Sequence, residues 1–176
     1  MRVVGGTAGG RRIHAPAGRA LRPTSERVRE AIFSSLESMG GLHGAAVVDL
    51  FAGTGALGIE ALSRGASSAV FVDTDPAALM AVRSNLEATG LTRSGEVVRS
   101  DVVQFLERGH VGFDLAFVDP PYEFQAWDEV SARLDARIVV LESNREVDLG
   151  GSWRTTKQKR YGDTVVTVVV QLRADE

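Results

Sequence analysis

The chain has 176 residues, 44% of them hydrophobic, and a net charge of −3 at pH 7; these values are typical of one globular domain with a substantial core. It has no cysteine, which excludes disulfide bonds and any cysteine-based metal site or nucleophile, and its three histidines lack metal-ligand spacing, so we expect no bound metal. No apolar stretch is long enough to span a membrane and the N-terminus lacks the apolar core of a signal peptide, so we expect a soluble, cytoplasmic protein.

The first 30 residues are strongly basic, with seven arginines against two glutamates. Within them, Val3-Val4 and Arg12-Ile13 flank a glycine-rich stretch, which predicts a small β-hairpin. A loop with two prolines follows at 15–23. Basic segments on an otherwise acidic chain are typical of proteins that contact a polyanion, although arginines also serve simply to solvate a flexible terminus.

From Thr24 onward, helices and strands are predicted to alternate. Apolar residues first recur at helical spacing, at Val28, Ile32, Leu36 and Met39, and two glycines end this helix. The next apolar runs predict strands at 46–51, 69–72, 96–99, 113–118 and 138–141, separated by helices at 56–64, 76–86, 102–108 and 124–134. This order predicts a mostly parallel sheet with helices on both faces, in which ligands bind at the carboxyl ends of the strands.

The C-terminal part predicts a second β-hairpin. A β-branched run at 164–172 is expected to pair with part of 152–161, which brings the number of predicted strands in the main sheet to seven. The first strand of this hairpin is basic, with no acidic residue nearby: Arg154, Lys157, Lys159 and Arg160. This run also indicates contact with a polyanion.

A glycine-rich segment follows the first strand of the alternating region. Gly53, Gly55 and Gly58 match the fingerprint of dinucleotide-binding proteins, and Asp73 lies 20 residues beyond Gly53, where the acid that binds the ribose is expected. A nicotinamide or flavin enzyme is therefore one hypothesis.

Asp49, at the end of the strand before those glycines, argues against a dinucleotide because its carboxylate would repel a pyrophosphate. It suits a ligand with a positive ammonium or sulfonium group, and S-adenosylmethionine carries both. The ribose hydroxyls of this cofactor would donate to Asp73, and its adenine amino group to Asp101 after the third strand. Helix or turn capping remains the alternative for Asp49 and Asp101.

The most informative motif is Asp119-Pro-Pro-Tyr122, which directly follows the apolar strand 113–118. The prolines remove backbone donors and stiffen the chain, which leaves carbonyl oxygens and the Asp119 carboxylate as acceptors. Tyr122 adds a flat face. Together they suit a planar ring that carries an exocyclic amino group; the alternative is a strand-capping turn with a core tyrosine.

These motifs resemble the class I S-adenosylmethionine-dependent methyltransferases: the segment DLFAGTGALGIE at 49–60, Val72-Asp73, and Asp119 to Tyr122. The N-terminal segment RPTSERVREAIF at 22–33, with GGxxxGRR at 5–12 and Arg160-Tyr-Gly162, narrows the resemblance to the RsmD family of bacterial 16S ribosomal RNA guanine-N2 methyltransferases. The resemblance covers nearly the whole chain. It implies a Rossmann-like fold with a basic extension at 1–23 and a methyltransferase domain at 24–176.

The same resemblance implies the roles of individual residues. S-adenosylmethionine would be bound by Asp49, Phe51, Gly53, Gly55, Asp73, Thr74, Asp101 and Val102, with Thr24 and Arg27 closing over its methionine carboxylate; Arg27 alternatively meets a phosphate. The catalytic residues would be Asp119, Pro120 and Tyr122. RNA phosphates would be held by Arg11, Arg12, Arg19, Arg22 and Arg29.

The implied reaction is methyl transfer to the exocyclic amine of one guanine of 16S ribosomal RNA, by resemblance guanine 966, within an assembled or assembling small subunit. Asp119 is expected to orient the amine rather than act as a strong base, since an ordinary carboxyl has a pKa of about 4. Two alternatives stay open: a DNA adenine-N6 methyltransferase and a non-catalytic RNA-binding protein. One departure from the family is a short segment between Tyr122 and the fifth strand, which predicts a short helix there.

Overall fold

The structure, a computed structural model, describes residues 1–16, 25–40, 42–109 and 112–172. In chain order these residues form α1 (Glu26–Ser38), β1 (Ala46–Leu50), α2 (Ala56–Ser63), β2 (Ser68–Asp73), α3 (Pro76–Thr89), a 3-10 turn (Thr92–Ser94), β3 (Gly95–Arg99), α4 (Val102–Glu107), β4 (Phe113–Val118), α5 (Trp127–Arg133), β5 (Ala136–Ser143), β6 (Trp153–Tyr161) and β7 (Thr164–Gln171). The predicted elements are confirmed, with ends that differ by no more than three residues. None of the helices in these ranges is long and apolar enough to cross a membrane.

The strands form one seven-stranded sheet in the order β3-β2-β1-β4-β5-β7-β6. The first five strands in this order are parallel, and β7 runs antiparallel to both of its neighbours, β5 and β6. Strand β6 therefore runs in the same direction as β5, and the chain reverses direction in the sheet only at the turn into β7. The carboxyl ends of β1, β2 and β4 share one edge of the sheet, where the predicted site residues lie.

Local signals explain where the helices begin. The Ser25 hydroxyl accepts a hydrogen bond from the Val28 amide at 3.2 Å and caps α1, and Asp75 does the same for α3 with the Ala77 amide at 2.9 Å. Pro76 occupies the first turn of α3, where a missing amide hydrogen costs nothing. Helix α5 has only seven residues, as the short segment after Tyr122 predicted.

Apolar side chains fill both faces of the sheet. One face packs against α1, α2, α3 and the N-terminal residues, and the core between them contains Phe33, Phe71 and Phe117. The other face packs against α4 and α5. This two-sided burial is what a parallel sheet requires.

The N-terminal segment forms the predicted hairpin. The Val3 amide donates to the Arg11 carbonyl and the Ile13 amide to the Met1 carbonyl, both at 2.9 Å, around an antiparallel bridge between Arg2 and Arg12. Val3, Ala8 and Ile13 are buried in the same core as the sheet. The proposed domain boundary at residue 23 lies outside the described residues and stays a prediction.

Candidate active site

The register of the sheet brings three predicted residues to one level. Leu50 of β1 lies between Val72 of β2 and Val118 of β4. The residues that follow these three in the chain are Phe51, Asp73 and Asp119. They therefore lie side by side at the carboxyl ends of adjacent strands, as ligand-binding residues do in open α/β sheets.

Two glycines of the loop after β1 adopt backbone conformations that favour glycine. Gly53 has a φ of 55° and Gly55 a φ of 77°, both in the left-handed region. A side chain at Gly58 would place its Cβ 2.3 Å from a ring carbon of Phe71. The glycines thus keep the loop close to the strand ends and let α2 pack directly on β2.

Asp49 lies beneath this loop, with only 2% of its surface exposed. Its Oδ2 accepts a hydrogen bond from the Gly58 amide at 2.9 Å. Burial raises the pKa of Asp49 well above its ordinary value, and the nearby carboxyls of Asp119 and Asp73 raise it further, against the lowering effect of the Gly58 amide. A positive group on a ligand would relieve this accumulation of negative charge.

Asp73 organises the loop at the end of β2. It accepts hydrogen bonds from the Gly53 amide at 3.0 Å and the Asp75 amide at 2.9 Å, and stays partly exposed. Thr74 is exposed beside it. The loop and the carboxylate are therefore fixed relative to each other before any ligand arrives.

Asp101 follows β3 and caps α4. Its carboxylate accepts from the Gln104 amide at 3.1 Å, so the capping alternative for this residue is realised, yet the residue as a whole is exposed. Val102 is buried behind it. Capping α4 therefore leaves Asp101 exposed at the end of β3, where a ligand can reach it.

Asp119, Pro120 and Tyr122 lie directly after β4 and form one side of the predicted site. Pro120 is buried, while Pro121 and Tyr122 are exposed, Tyr122 with 42% of its surface. The alternative interpretation of Tyr122 as a core residue is therefore wrong. So is the expectation of an ordinary acidity for Asp119: burial raises its pKa to about 7, because a carboxylate out of water is destabilised.

Sequence reasoning missed an aromatic cluster on this side of the site. The Phe124 ring lies 5.1 Å from that of Phe51 and 5.3 Å from that of Trp127, both edge to face. A cleft lies between this cluster, the Asp119 motif and the end of β5; it is lined by Pro120, Pro121, Tyr122, Phe124, Trp127, Ser143, Asn144 and Arg145. The closeness of two aromatic residues to Tyr122 in the sequence was the available signal.

The predicted RNA-binding arginines fall into three groups, described here together with Arg27 and Thr24, which were predicted to close over the cofactor. Arg11, Arg12 and Arg27 are exposed, the first two on the N-terminal hairpin and the third in the first turn of α1. Arg29 is a correction: its side chain is fully buried, with Nη2 2.6 Å from the Arg2 carbonyl oxygen and Nη1 3.5 Å from Glu60, so it cannot reach a phosphate. Thr24, Arg19 and Arg22 lie outside the described residues.

Comparisons with known proteins agree with this geometry. The family model described as conserved hypothetical protein 95 matches residues 1–170. YlbH of Bacillus subtilis is 38% identical, over 96% of this chain and 97% of its own length. Ribosomal RNA small subunit methyltransferase D of Escherichia coli is 34% identical, over 92% of this chain and 85% of its own length. The solved structure of the Escherichia coli protein yhhF superimposes with a TM-score of 0.85 at 31% identity, covering 98% of each chain.

The sheet order and the strand-end site define a class I methyltransferase that depends on S-adenosylmethionine. Within that class, the chain belongs to the family of ribosomal RNA small subunit methyltransferase D, as the sequence motifs indicated.

The residues present fit this cofactor better than a dinucleotide. Carboxyl groups at 49, 73 and 119 surround the loop and would repel a pyrophosphate. A cofactor with an ammonium and a sulfonium group complements such an acidic site.

Proposed function

We propose that the protein transfers a methyl group from S-adenosylmethionine to the exocyclic N2 amine of a guanine in small-subunit ribosomal RNA. The observation that carries this proposal is the position of Asp119, whose motif ends β4 beside the cofactor loop and opens onto a cleft with the exposed Tyr122 ring. The family supports an RNA substrate, since its curated member from Escherichia coli is a ribosomal RNA small subunit methyltransferase.

S-adenosylmethionine supplies an electrophilic methyl group on a positively charged sulfur. In the proposal Asp49 faces its ammonium group, Asp73 accepts from its ribose hydroxyls, and Asp101 accepts from its adenine amine, with Phe51, Gly53, Gly55, Thr74 and Val102 lining the space and Thr24 closing over its methionine carboxylate. These carboxylates act by fixing the cofactor in place, so that its methyl group points toward the end of β4.

The target amine is held by acceptors of this chain. The Asp119 carboxylate and the Pro120 carbonyl oxygen would accept its two hydrogens, which orients the nitrogen lone pair toward the methyl group. With a pKa of about 7, Asp119 is also able to take up the proton that the amine loses, a role that an ordinary carboxylate fills poorly. Tyr122 would stack on the base, a contact worth about 1–3 kcal/mol. The base must be unpaired or flipped out to reach it.

Mass mapping of ribosomal RNA nucleosides from cells with and without the gene tests this function. We expect one N2-methylguanine of the small subunit to disappear with the gene. Purified protein should then restore it with labelled methyl groups on deficient subunits or on free RNA, which separates an assembled substrate from a naked one. Methyl transfer to N6 of adenine in duplex DNA would support the alternative instead, and RNA binding without transfer would support a non-catalytic protein.

Replacing Asp73 by alanine should weaken S-adenosylhomocysteine binding at least tenfold. The change removes the proposed ribose acceptor and frees the Gly53 amide that now donates to it at 3.0 Å. Calorimetry measures the effect, with Asp75→Ala as the matched control at the start of α3. Unchanged affinity would show that Asp73 only shapes the loop, and saturable binding of NAD in place of S-adenosylhomocysteine would contradict the cofactor assignment.

Replacing Arg11 and Arg12 by alanine should lower RNA affinity and its salt dependence. Each lost phosphate contact reduces the slope of log affinity against log salt concentration by about 0.7 for a single strand, so the pair should reduce it by about 1.4. Filter binding at several salt concentrations measures this, while S-adenosylhomocysteine affinity serves as the control. An unchanged slope would exclude both residues from the RNA interface.

A further inference from the structure

A second groove runs between α1 and the edge strand β6, away from the cleft beside Asp119. Two small residues of α1, Ala31 and Ser35, form one side, and Lys157, Lys159 and Tyr161 of β6 form the other. The proposed function does not use these residues.

The register of β6 points its lysines into this groove. Lys157 pairs with Val168 and Lys159 with Val166, and both valines belong to the core on the α1 side of the sheet. Directly paired residues of adjacent strands share a face. Lys157 Nζ accordingly lies 3.2 Å from the Ser35 hydroxyl, and Lys159 Nζ lies 5.2 Å from the centre of the Tyr161 ring.

The groove is positive because the acids of α1 lie elsewhere. Glu30 and Glu37 pair with Arg64, the residue that follows α2, at 3.1 and 2.8 Å, and Glu26 accepts a hydrogen bond from the Arg2 amide at 3.0 Å. Strands β6 and β7 contain no acidic residue. On the same face of β6, Arg154 pairs with Val170 and adds a further cation.

The groove runs toward the end of the sheet at which the carboxyl ends of the parallel strands and the proposed catalytic residues lie. Tyr161 pairs with Thr164 and Ser143 pairs with the adjacent Val165, so β6 ends at the same edge as β5, whose Ser143 lines the cleft beside Asp119. Adjacent strands lie about 4.8 Å apart, which puts β6 about 14 Å from β4 across the sheet. Arg27 is one turn before Ala31 on α1 and is exposed, so it lies toward this end of the groove.

We propose that this groove binds the phosphate backbone of the RNA strand that flanks the target base. The inference rests on the proposed function for its partner, and it assigns Arg27 to RNA rather than to the cofactor. Lys157 and Lys159 are two residues apart on a strand, hence about 6.6 Å apart along it, so both cations face the same stretch of a bound strand; a phosphate would replace the Ser35 hydroxyl as the partner of Lys157. Such contacts position RNA without reading its sequence.

The variant Lys157→Ala/Lys159→Ala tests the groove. We expect RNA affinity at about 0.1 M salt to fall about tenfold and the slope of log affinity against log salt concentration to fall by about 1.4, the value for two lost phosphate contacts. The probe is small-subunit ribosomal RNA from cells that lack the gene, measured with S-adenosylhomocysteine present. Lys157→Arg/Lys159→Arg should retain affinity, since it keeps both charges.

The matched control is Arg83→Ala/Arg93→Ala, which removes two exposed charges near β3, the edge strand at the other end of the strand order from β6, and should change affinity little. If the lysines only protect the sheet edge from pairing with other chains, the alanine variant will aggregate while its monomer keeps full affinity and slope, and the proposal is overturned. Failure of the wild-type protein to methylate ribosomal RNA would instead refute the proposed function. Wild-type methylation combined with unchanged affinity in the variant refutes the groove alone.

Discussion

Replacing Asp119 by alanine should slow methyl transfer at least a hundredfold while fold and cofactor affinity persist. The carboxyl is proposed to orient the amine and take its proton, and a positioned acid or base contributes about 10²- to 10⁴-fold to a rate. Single-turnover transfer to deficient small subunits is the measurement. Glu123→Ala, at an exposed acid close by in the chain, should react at the normal rate, whereas a near-normal rate for Asp119→Ala would remove this residue from the mechanism.

The raised pKa of Asp119 adds an expected pH dependence of the transfer rate to this prediction. Wild-type transfer should increase with pH, because only the ionised carboxyl accepts hydrogen bonds with both oxygens. Burial puts the pKa of Asp119 at about 7 in the protein alone, and the positive charges of bound cofactor lower it, so the midpoint of the rate should lie at or below about pH 7. Asp119→Asn should give a low rate that does not follow this profile.

Asp119 should also lower the free energy of unfolding above neutral pH. Its folded-state pKa of about 7 exceeds the ordinary 3.8, so the folded protein holds the proton more tightly, and the resulting stabilisation is lost as pH rises through about 7. Asp119→Asn should therefore be more stable than wild type at about pH 8, by no more than roughly 4 kcal/mol, and equal to it near pH 4. Urea unfolding at the two values measures the difference.

Replacing Glu60 by alanine should lower the free energy of unfolding by about 3–5 kcal/mol, because it leaves the buried Arg29 without its counter-charge. The Glu60 carboxylate accepts from the amides of Val4 and Gly5 at 2.7 and 2.8 Å and from Arg64 Nε at 2.8 Å. It therefore joins the N-terminal hairpin, α1 and α2. Urea titration followed by circular dichroism measures the change.

Two further variants test this explanation. Glu37→Ala removes an exposed partner of the same Arg64 and should cost less than about 1 kcal/mol. Arg29→Met/Glu60→Leu removes both buried charges and should cost less than Glu60→Ala alone. A Glu60→Ala variant as stable as Glu37→Ala would show that the buried network does not hold the hairpin.

Much of the fold was predictable because its signals are local. Alternating apolar runs predicted the strands and helices. The positions of Asp49, Asp73 and Asp119 at or next to strand ends predicted that they lie at the same end of the sheet. The antiparallel insertion of β7 between β5 and β6 is a long-range arrangement that no local pattern encodes.

The wrong predictions at the site concern residues that are buried in the fold, because sequence patterns report the burial of a polar side chain poorly. Arg29 was assigned to phosphates by its charge, although it lies on the apolar stripe of α1 beside Val28, Ile32 and Phe33. The acidity of Asp119 depends on how much water its neighbours exclude, which only the packed structure reveals. Phe124 was expected in a helix, but α5 begins at Trp127 and the Phe124 ring packs on Phe51 instead.

The position of β7 has a consequence for synthesis of the protein. Strand β6 leaves the ribosome before β7, its one neighbour in the described sheet, and so waits as an unpaired, charged segment. When β7 follows, five consecutive buried residues, Val165 to Val169, must enter the sheet with hydrogen-bonding partners on both sides. Until β7 enters, the edge of the apolar strand β5 lacks a hydrogen-bonding partner and is a template for aggregation. Entry of β7 therefore closes the apolar edge of β5 and leaves the charged strand β6 as the edge strand on this side of the described sheet.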